Sequence, residues 1–524
     1  MGAVVAAALG VSTAWSTTAS AATLAVGPGA KYTKIADAVN DAQPGDVVEV
    51  QGDATYAGTI LLKNGGMPGK PITVRGVLVN GKRPVLKGIG PGQWDNMVVL
   101  LNGDHMVFES FEVIGNGNDT DYCIVHKADD VLLRDLVVHD CLHQGGLVST
   151  DDDSGSLTLE YSEFFHNGGG ETSHQLYMAT DSVAFPHSVF RMQYCYVHDG
   201  LGGNNVKSRS ERNEIYYNWI EGAFYHELDL IGPDTGDSHP RDDSDVVGNV
   251  FVKTSQWRIA RVGGDGSGNA SGRYRFVNNT MILADATTTA IGLQETVSTV
   301  EMYNNVIFGS KAGFKIYDIN EPSGPAAVFF GSNNWVLAGT AQIPAAWSAT
   351  TQGSDPGWVD PAMHDLRPQT SSPLVGKGTT TTATTGDLAF PKPLTLPAYY
   401  PPQRRLIELG KAEARAMSAM PAIGAFEAAA TAPGMPLPDP PPETAGAGGG
   451  NTAGGMGAGT GGTGANAGGA SAAAPGDGGD SGGCGCTTVG RDVSRGGWLM
   501  LLASAVAFAR SRRKVRIDTS NPEQ

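Results

Sequence analysis

The chain has 524 residues, and its 36 Lys and Arg against 53 Asp and Glu give a formal charge of −17, which excludes a basic nucleic-acid-binding body. Glycine at 72 positions with only 17% charged residues argues against an ordinary helical enzyme and for frequent tight turns. Five cysteines are too few for a disulfide framework, so the fold must stand on packing.

The first 30 residues carry no charged side chain, run apolar from Ala3 to Val11 and reach Ala19-Ser20-Ala21, a small-x-small site of the kind signal peptidase cuts. Residues 1–22 therefore read as an export signal. Tyr32 to Ala42 places Ile35 and Val39 on one side of a short amphipathic helix, suited to cap the open end of a repeat domain. Short strands are expected at Val47–Val50, Ile60–Lys63, Ile72–Arg75 and Met97–Leu101.

From Val107 one pattern recurs: alternating apolar residues, a position often filled by Asn, two or three apolar residues, then a turn rich in Gly, His, Asp or Asn. VFESFEVIGNG, LLRDLVVHD, VFRMQYCYVHDG, YRFVNNTMILA and VEMYNNVIFGS are copies. Aligned, they bring Glu112, Leu136, Glu163, Cys195, Asn218, Asn249, Asn279, Asn305 and Asn334 to one position, eight steps over 222 residues, about 28 per step. A step of two or three short strands without a helix fits one coil of an all-β, right-handed parallel β-helix, stacked at the ~4.8 Å strand spacing. Propeller blades would need longer, more regular repeats, and a leucine-rich solenoid its own Leu/Asn spacing. The consecutive Asn have a mechanical reason, because an amide at a bend can hydrogen-bond its counterparts on neighbouring coils. The folded domain is read as residues 23–430.

The segments SHQLYMA (from Ser173), NNVKSRS (from Asn204) and HELDLIG (from His226) align as neighbouring strands. Alternation turns Leu176, Met178, Val206, Ser208, Leu228 and Leu230 inward, and Gln175, Tyr177, Asn205, Lys207, Arg209, Glu227 and Asp229 outward. Lys207 would then stand one strand spacing from Tyr177 and from Asp229. Lys207, Arg209, Tyr177, His226 and His174 are the candidate catalytic residues, with Asn205, Gln175, Glu227 and Asp229 as candidate substrate-binding ones. No metal ligand is assigned. His139, His166 and His198 fall at one repeat offset, followed by Asp140, Asn167 and Asp199; metal binding, sugar binding and turn chemistry all suit such a column. Asp151-Asp152-Asp153 and Asp242-Asp243-Ser244-Asp245 read as solvated turns.

Asp360, His364-Asp365-Leu366-Arg367, Ser372-Pro373-Leu374 and Ile423-Gly424-Ala425-Phe426-Glu427 resemble a common tail of secreted β-helix proteins. Residues 431–483 hold 19 glycines and no aromatic residue, the composition of a flexible tether. Residues 484–514 carry Cys484-Gly485-Cys486, the apolar run Gly496–Ala509 and then Arg510, Arg512, Arg513 and Lys514, with a short polar tail at 515–524. Fourteen apolar residues at ~1.5 Å each are short of a ~30 Å hydrocarbon core, which suits an anchor that is later removed. The order of parts resembles the C-terminal sorting tags known as MYXO-CTERM, which implies display on the outer surface membrane.

The body resembles the secreted right-handed parallel β-helix proteins, many of them polysaccharide lyases. Locally, at His174-Gln175-Leu176-Tyr177 and Asn205-Val206-Lys207-Ser208-Arg209, it resembles the chondroitinase B and alginate lyase family. The resemblance implies that the Lys-Ser strand supplies Lys207 as the base that removes the proton next to a uronate carboxylate, with an Arg assisting. It also implies Ca²⁺, held in that family by Asn and Glu on adjacent coils, where this chain has Gln175, Tyr177 and Glu227. A lysine base must be neutral, which Arg209 favours and Asp229 and Glu227 oppose. The expectation is an exported, monomeric, surface-associated lyase acting on an acidic polysaccharide. The alternative is a non-catalytic β-helix that binds a cell-surface glycan or serves adhesion.

Overall fold

Strands that bury alternate side chains, joined by turns every few residues, can satisfy their backbone by pairing each with its counterpart one circuit later. The computed structural model describes residues 20–428 except 90–96, 117–121, 144, 150–152, 233–242, 265–269, 321–325, 382–385 and 417. The export signal, the Gly-rich tether, the sorting tag and the polar tail lie outside the described residues, as do Asp151, Asp152 and Asp242; Asp243–Asp245 form no solvated turn but open a first-sheet strand, where Asp243 pairs with Arg273 and the buried Asp245 with Arg275.

The described chain is a right-handed parallel β-helix with three long sheets, of 12, 12 and 10 strands, each visited once per circuit. Pairing between circuits is parallel throughout these three sheets; Val131–Arg134, for example, lies between Met106–Glu109 and Leu157–Glu160 on the first sheet. Val137–His139 lies between Glu112–Ile114 and Glu163–Phe165 on the second, and Val206–Arg209 between His174–Ala179 and Leu228–Ile231 on the third. The capping helix spans Ile35–Asp41 and buries Ile35, Ala38 and Val39. One apolar core runs along the inside, from Val26 to Trp347, with Phe108, Phe164, Phe190, Phe251 and Phe276 fully enclosed.

The asparagine column forms as expected. The Asn249 side-chain oxygen accepts from both the backbone and the amide of Asn218 at 2.9 and 3.0 Å, Asn279 does the same for Asn249, Asn305 for Asn279 and Asn334 for Asn305. Its start needs a correction. The backbone of Leu136 donates to the Ser162 hydroxyl, while Glu112 and Glu163 pair in register with Val137 one residue later. The column therefore reads Leu136, Ser162, Cys195, Asn218 and onward, and Glu112 and Glu163 point away from it. The column is fully buried, so it takes apolar, hydroxyl, thiol or amide side chains and leaves the carboxylates of Glu112 and Glu163 to the outer face.

A disulfide joins Cys123 on the third sheet to Cys141 just after a second-sheet strand, and Cys195 is a buried thiol. After the solenoid, Trp358–Asp360 and Asp365–Pro368 form an antiparallel pair, and the chain turns back across earlier circuits. Arg273 and Arg275 donate to the carbonyls of Ala389, Lys392 and Pro393. Tyr399 meets Tyr194 and Tyr217, Arg404 pairs with Glu221, and Ala422 and Gly424 accept from Asn278. This return segment is a strap over the first and second sheets. No described helix is long and apolar enough to cross a membrane.

Candidate functional site

The strands His174–Ala179, Val206–Arg209, Leu228–Ile231 and Ala260–Gly263 lie side by side on the third sheet. Their register places Tyr177, Lys207, Asp229 and Arg261 in one row. Leu176, Met178, Val206, Ser208, Leu228 and Leu230 face the core, each at most 1% exposed. Arg261 is a member of this row that sequence reasoning missed, because the apolar pattern around it carries no motif; only counting one further circuit would have reached it.

Tyr177 and Lys207 are half-buried at the surface, with the Lys207 ammonium 4.7 Å from the centre of the Tyr177 ring. Arg209 donates through Nε to the Tyr177 hydroxyl at 3.0 Å and through its terminal nitrogen to the Gly232 carbonyl. Asp229 is fully buried and bidentate with Arg261, both contacts at 2.7 Å, and also accepts from the Asn204 amide at 2.8 Å. Burial alone would raise the Asp229 carboxyl, but Arg261, and then Lys207, outweigh it and hold it far below the usual range.

His174 and His226 sit behind this row, 5% exposed each. Burial, with Lys207 beside it, lowers His174 to about 3; burial likewise lowers His226 to about 3. Both are neutral near pH 7. The Asn204 backbone N–H donates to His174 Nδ1 at 2.8 Å, so the His174 proton is on Nε2. His226 Nδ1 lies 3.3 Å from the Arg258 carbonyl, which requires the proton on Nδ1 and leaves Nε2 as an acceptor. A Cβ at Gly203 would stand 2.1 Å from His174 Nδ1, so only glycine lets this ring reach Asn204.

Five expected surface residues are corrected: Arg209 and Asp229 are buried, held by the Gly232 carbonyl and by Arg261, and three more lie deeper. Gln175, Asn205 and Glu227 are fully buried, in a polar chain tucked at the corner between the second and third sheets. Gln175 accepts from Asn167 and donates to Asn205, Asn205 donates to Glu227, and Glu227 pairs with the enclosed Lys253 at 2.9 Å. Strict alternation fails here because the strand starts inside a bend, where consecutive residues both point inward. Burial pushes the Glu227 carboxyl up, against the pull of Lys253. These three side chains cannot touch a ligand on the sheet surface.

The positions at which the resemblance implies Ca²⁺ do not fit that ion. Ca²⁺ takes six to eight oxygens, whereas Gln175 and Glu227 are already bonded inside the corner and Tyr177 accepts from Arg209 on the surface. Among the described residues no three His, Cys, Asp or Glu converge in a metal-holding arrangement.

The histidine column also needs correcting by one residue. His139 and His198 share a row with Phe165 between them, their rings stacked at 4.6 and 5.2 Å. Each is bracketed by acids, His139 by Asp140 and Glu112, His198 by Asp199 and Glu163. A cleft of about 550 Å³ opens elsewhere on the second sheet between Asp53, Lys82, Arg83, Glu112 and Val137, and no candidate residue lines it.

No protein-family model matches the chain, and no curated protein matches it. Among solved structures it is similar to pectate lyase Pel9A, with a TM-score of 0.47 and 14% identity over 78% of this chain and 97% of that one. It is also similar to the PL6 family alginate lyase AlyGC, with a TM-score of 0.37 and 14% identity over 63% of this chain and 40% of that one. An alginate lyase from Paenibacillus sp. str. FPU-7 gives 0.31 and 14%, covering 64% and 98%. A lacto-N-biosidase and a pectin methylesterase are similar as well, so the likeness is one of architecture and carries no chemistry.

Proposed function

We propose that the chain is an exported, surface-associated polysaccharide lyase that cleaves a uronate-containing chain by β-elimination. The observation that carries this is the third-sheet row in which Tyr177, Lys207 and Arg261 reach the surface around the buried Asp229, with Arg209 on the Tyr177 hydroxyl. Asp229 is occupied by Arg261 and Asn204, and Glu227 by Lys253, so neither expected carboxylate is turned toward Lys207 alone. In the reacting state the neutral Lys207 amine takes the proton next to the uronate carboxylate. The freed electron pair forms the carbon–carbon double bond as the bond to the leaving oxygen breaks, and that oxygen takes the Tyr177 hydroxyl proton. Arg261 and Arg209 neutralise the substrate carboxylate, which makes the abstracted proton acidic. The export signal and the sorting tag support delivery to the cell surface.

The test is ultraviolet absorbance of unsaturated uronate while the full chain is incubated with alginates, pectates and glycosaminoglycans, with and without Ca²⁺. Product is expected from at least one, and Lys207→Ala should reduce its rate by roughly 10²–10⁴-fold. A folded protein that yields none across the panel sinks the lyase reading. Non-catalytic glycan binding would then stand, a reading favoured by one observation: Arg261 is already bidentate on Asp229 before any substrate arrives.

A further inference from the structure

Large apolar side chains on turns are normally tucked away, yet a group of them faces solvent beside the charged row. Leu201 is 49% and Phe224 44% exposed, and Tyr225 and Trp257 are half-buried. They occupy the turns that lead into three successive third-sheet strands, the ones bearing Lys207, Asp229 and Arg261. The turns are stacked and bonded to one another: Tyr225 donates its N–H to the Gly203 carbonyl at 2.7 Å, and the Ser255 hydroxyl donates to the Phe224 carbonyl at 3.4 Å. The aromatic rings brace each other edge to face, Phe224 to Tyr225 at 5.0 Å and Tyr225 to Trp257 at 4.8 Å. Trp257 in turn meets the His226 ring at 6.1 Å, which joins the group to the candidate site without a gap. Such bracing fixes the rings in place, so a ligand would meet a formed surface with little ordering cost.

We propose that Leu201, Phe224, Tyr225 and Trp257 form a sugar-stacking subsite that takes the apolar C–H face of a pyranose ring. This rests on the reading that the third-sheet row receives a glycan. Trp257 lies in the turn four residues before Arg261, on the same circuit, so one glycan chain can meet both. The row meets the charged unit of the chain, and the turn meets an unreacting unit further along. The subsite therefore serves binding and chain-length preference and takes no part in proton transfer.

Affinity electrophoresis in gels containing polygalacturonate or alginate tests this without any need for turnover. Full chains carrying Phe224→Ser, Trp257→Ala or Trp257→Phe are compared with wild type and Lys207→Ala, with thermal unfolding run in parallel. Phe224→Ser and Trp257→Ala should weaken retardation roughly three- to ten-fold each, and Trp257→Phe should largely restore it, while Lys207→Ala reports the charged row separately through its loss of elimination. Wild type retarded no more strongly than both turn variants overturns the subsite and leaves the lyase reading intact. Absence of elimination by wild type with retardation preserved overturns only the lyase reading. No retardation of wild type by either polymer overturns the subsite, and so does an effect of the variants on sedimentation alone, which would mark the strip as a contact between copies of the chain.

Discussion

Asn204 is the residue on which the candidate site turns. Its N–H donates to His174, its side-chain amide donates to Asp229, and its side-chain oxygen accepts from the His226 backbone. One residue thus holds the His174 ring, the His226 backbone and the Asp229 carboxylate. Burial keeps both rings neutral down to about pH 3, whereas in the unfolded chain they titrate near ~6.5. The unfolded chain therefore takes up protons that the folded one refuses. The stability from His174 and His226 is complete above about pH 6.5 and falls as the pH drops, by roughly 2 kcal/mol for each at pH 5. His139 and His198 act in the opposite sense: burial pulls them down, but their acid partners outweigh it and raise them. Their contribution is present below about pH 6.5 and is lost as pH rises through their folded values. Denaturant midpoints should fall from pH 7.5 to pH 5, less in His226→Gln and more in His139→Gln. An equal fall in all three proteins would refute this assignment of the histidines.

At the scale of elements, the asparagine column shows what a bend in a solenoid requires. Asn279 is fully buried, donates to the Val246 carbonyl and accepts from Asn249. Asn279→Ala would leave buried backbone and amide groups of two neighbouring circuits without partners, a cost of about 2–4 kcal/mol. Equilibrium unfolding checks this, and Asn279→Asp should be no kinder, because it loses the amide donor. This part of the fold was legible in the sequence, since five Asn at near-regular intervals mark a single position repeated from circuit to circuit. The inward apolar residues Leu176, Val206 and Leu228 were equally legible from alternation. Gln175, Asn205 and Glu227 were not, because period-two counting assumes a straight strand and these residues lie in a corner. Glu112 and Glu163 were misplaced by one residue for a related reason: where the column is not yet Asn, nothing marks its register. The pairing of Cys123 with Cys141 and the place of Arg261 depend on which circuits are neighbours, information that a spacing of about 28 residues carries only approximately.

For the described molecule as a whole, the decisive element is the strap, which sequence reading reduced to a tail motif. Arg415 is 4% exposed and holds the carbonyls of Ala422 and Gly424 together with Glu427, the ion pair at 2.6 Å. Arg415→Met would leave that carboxylate and two carbonyls poorly satisfied, at about 3 kcal/mol. Hydrogen exchange should then quicken in the strap between residues 396 and 424 while the third sheet keeps its protection. Unchanged protection of the strap would show that Arg415 does not secure it.

The docking point of the strap also decides how the protein bears tension. Gly424 donates its N–H to the Asn304 carbonyl, and Ala422 and Gly424 accept from Asn278, well inside the solenoid and not at the terminal circuit of Trp335. A pull applied beyond Glu427 enters through these interior circuits. The terminal circuit is pinned as well, since Trp335 shares an apolar cluster with Ile423, Ala425 and Phe426. Hydrogen bonds loaded side by side share the force, whereas those at an open end break singly, so a body held from this end would resist being unwound by drag.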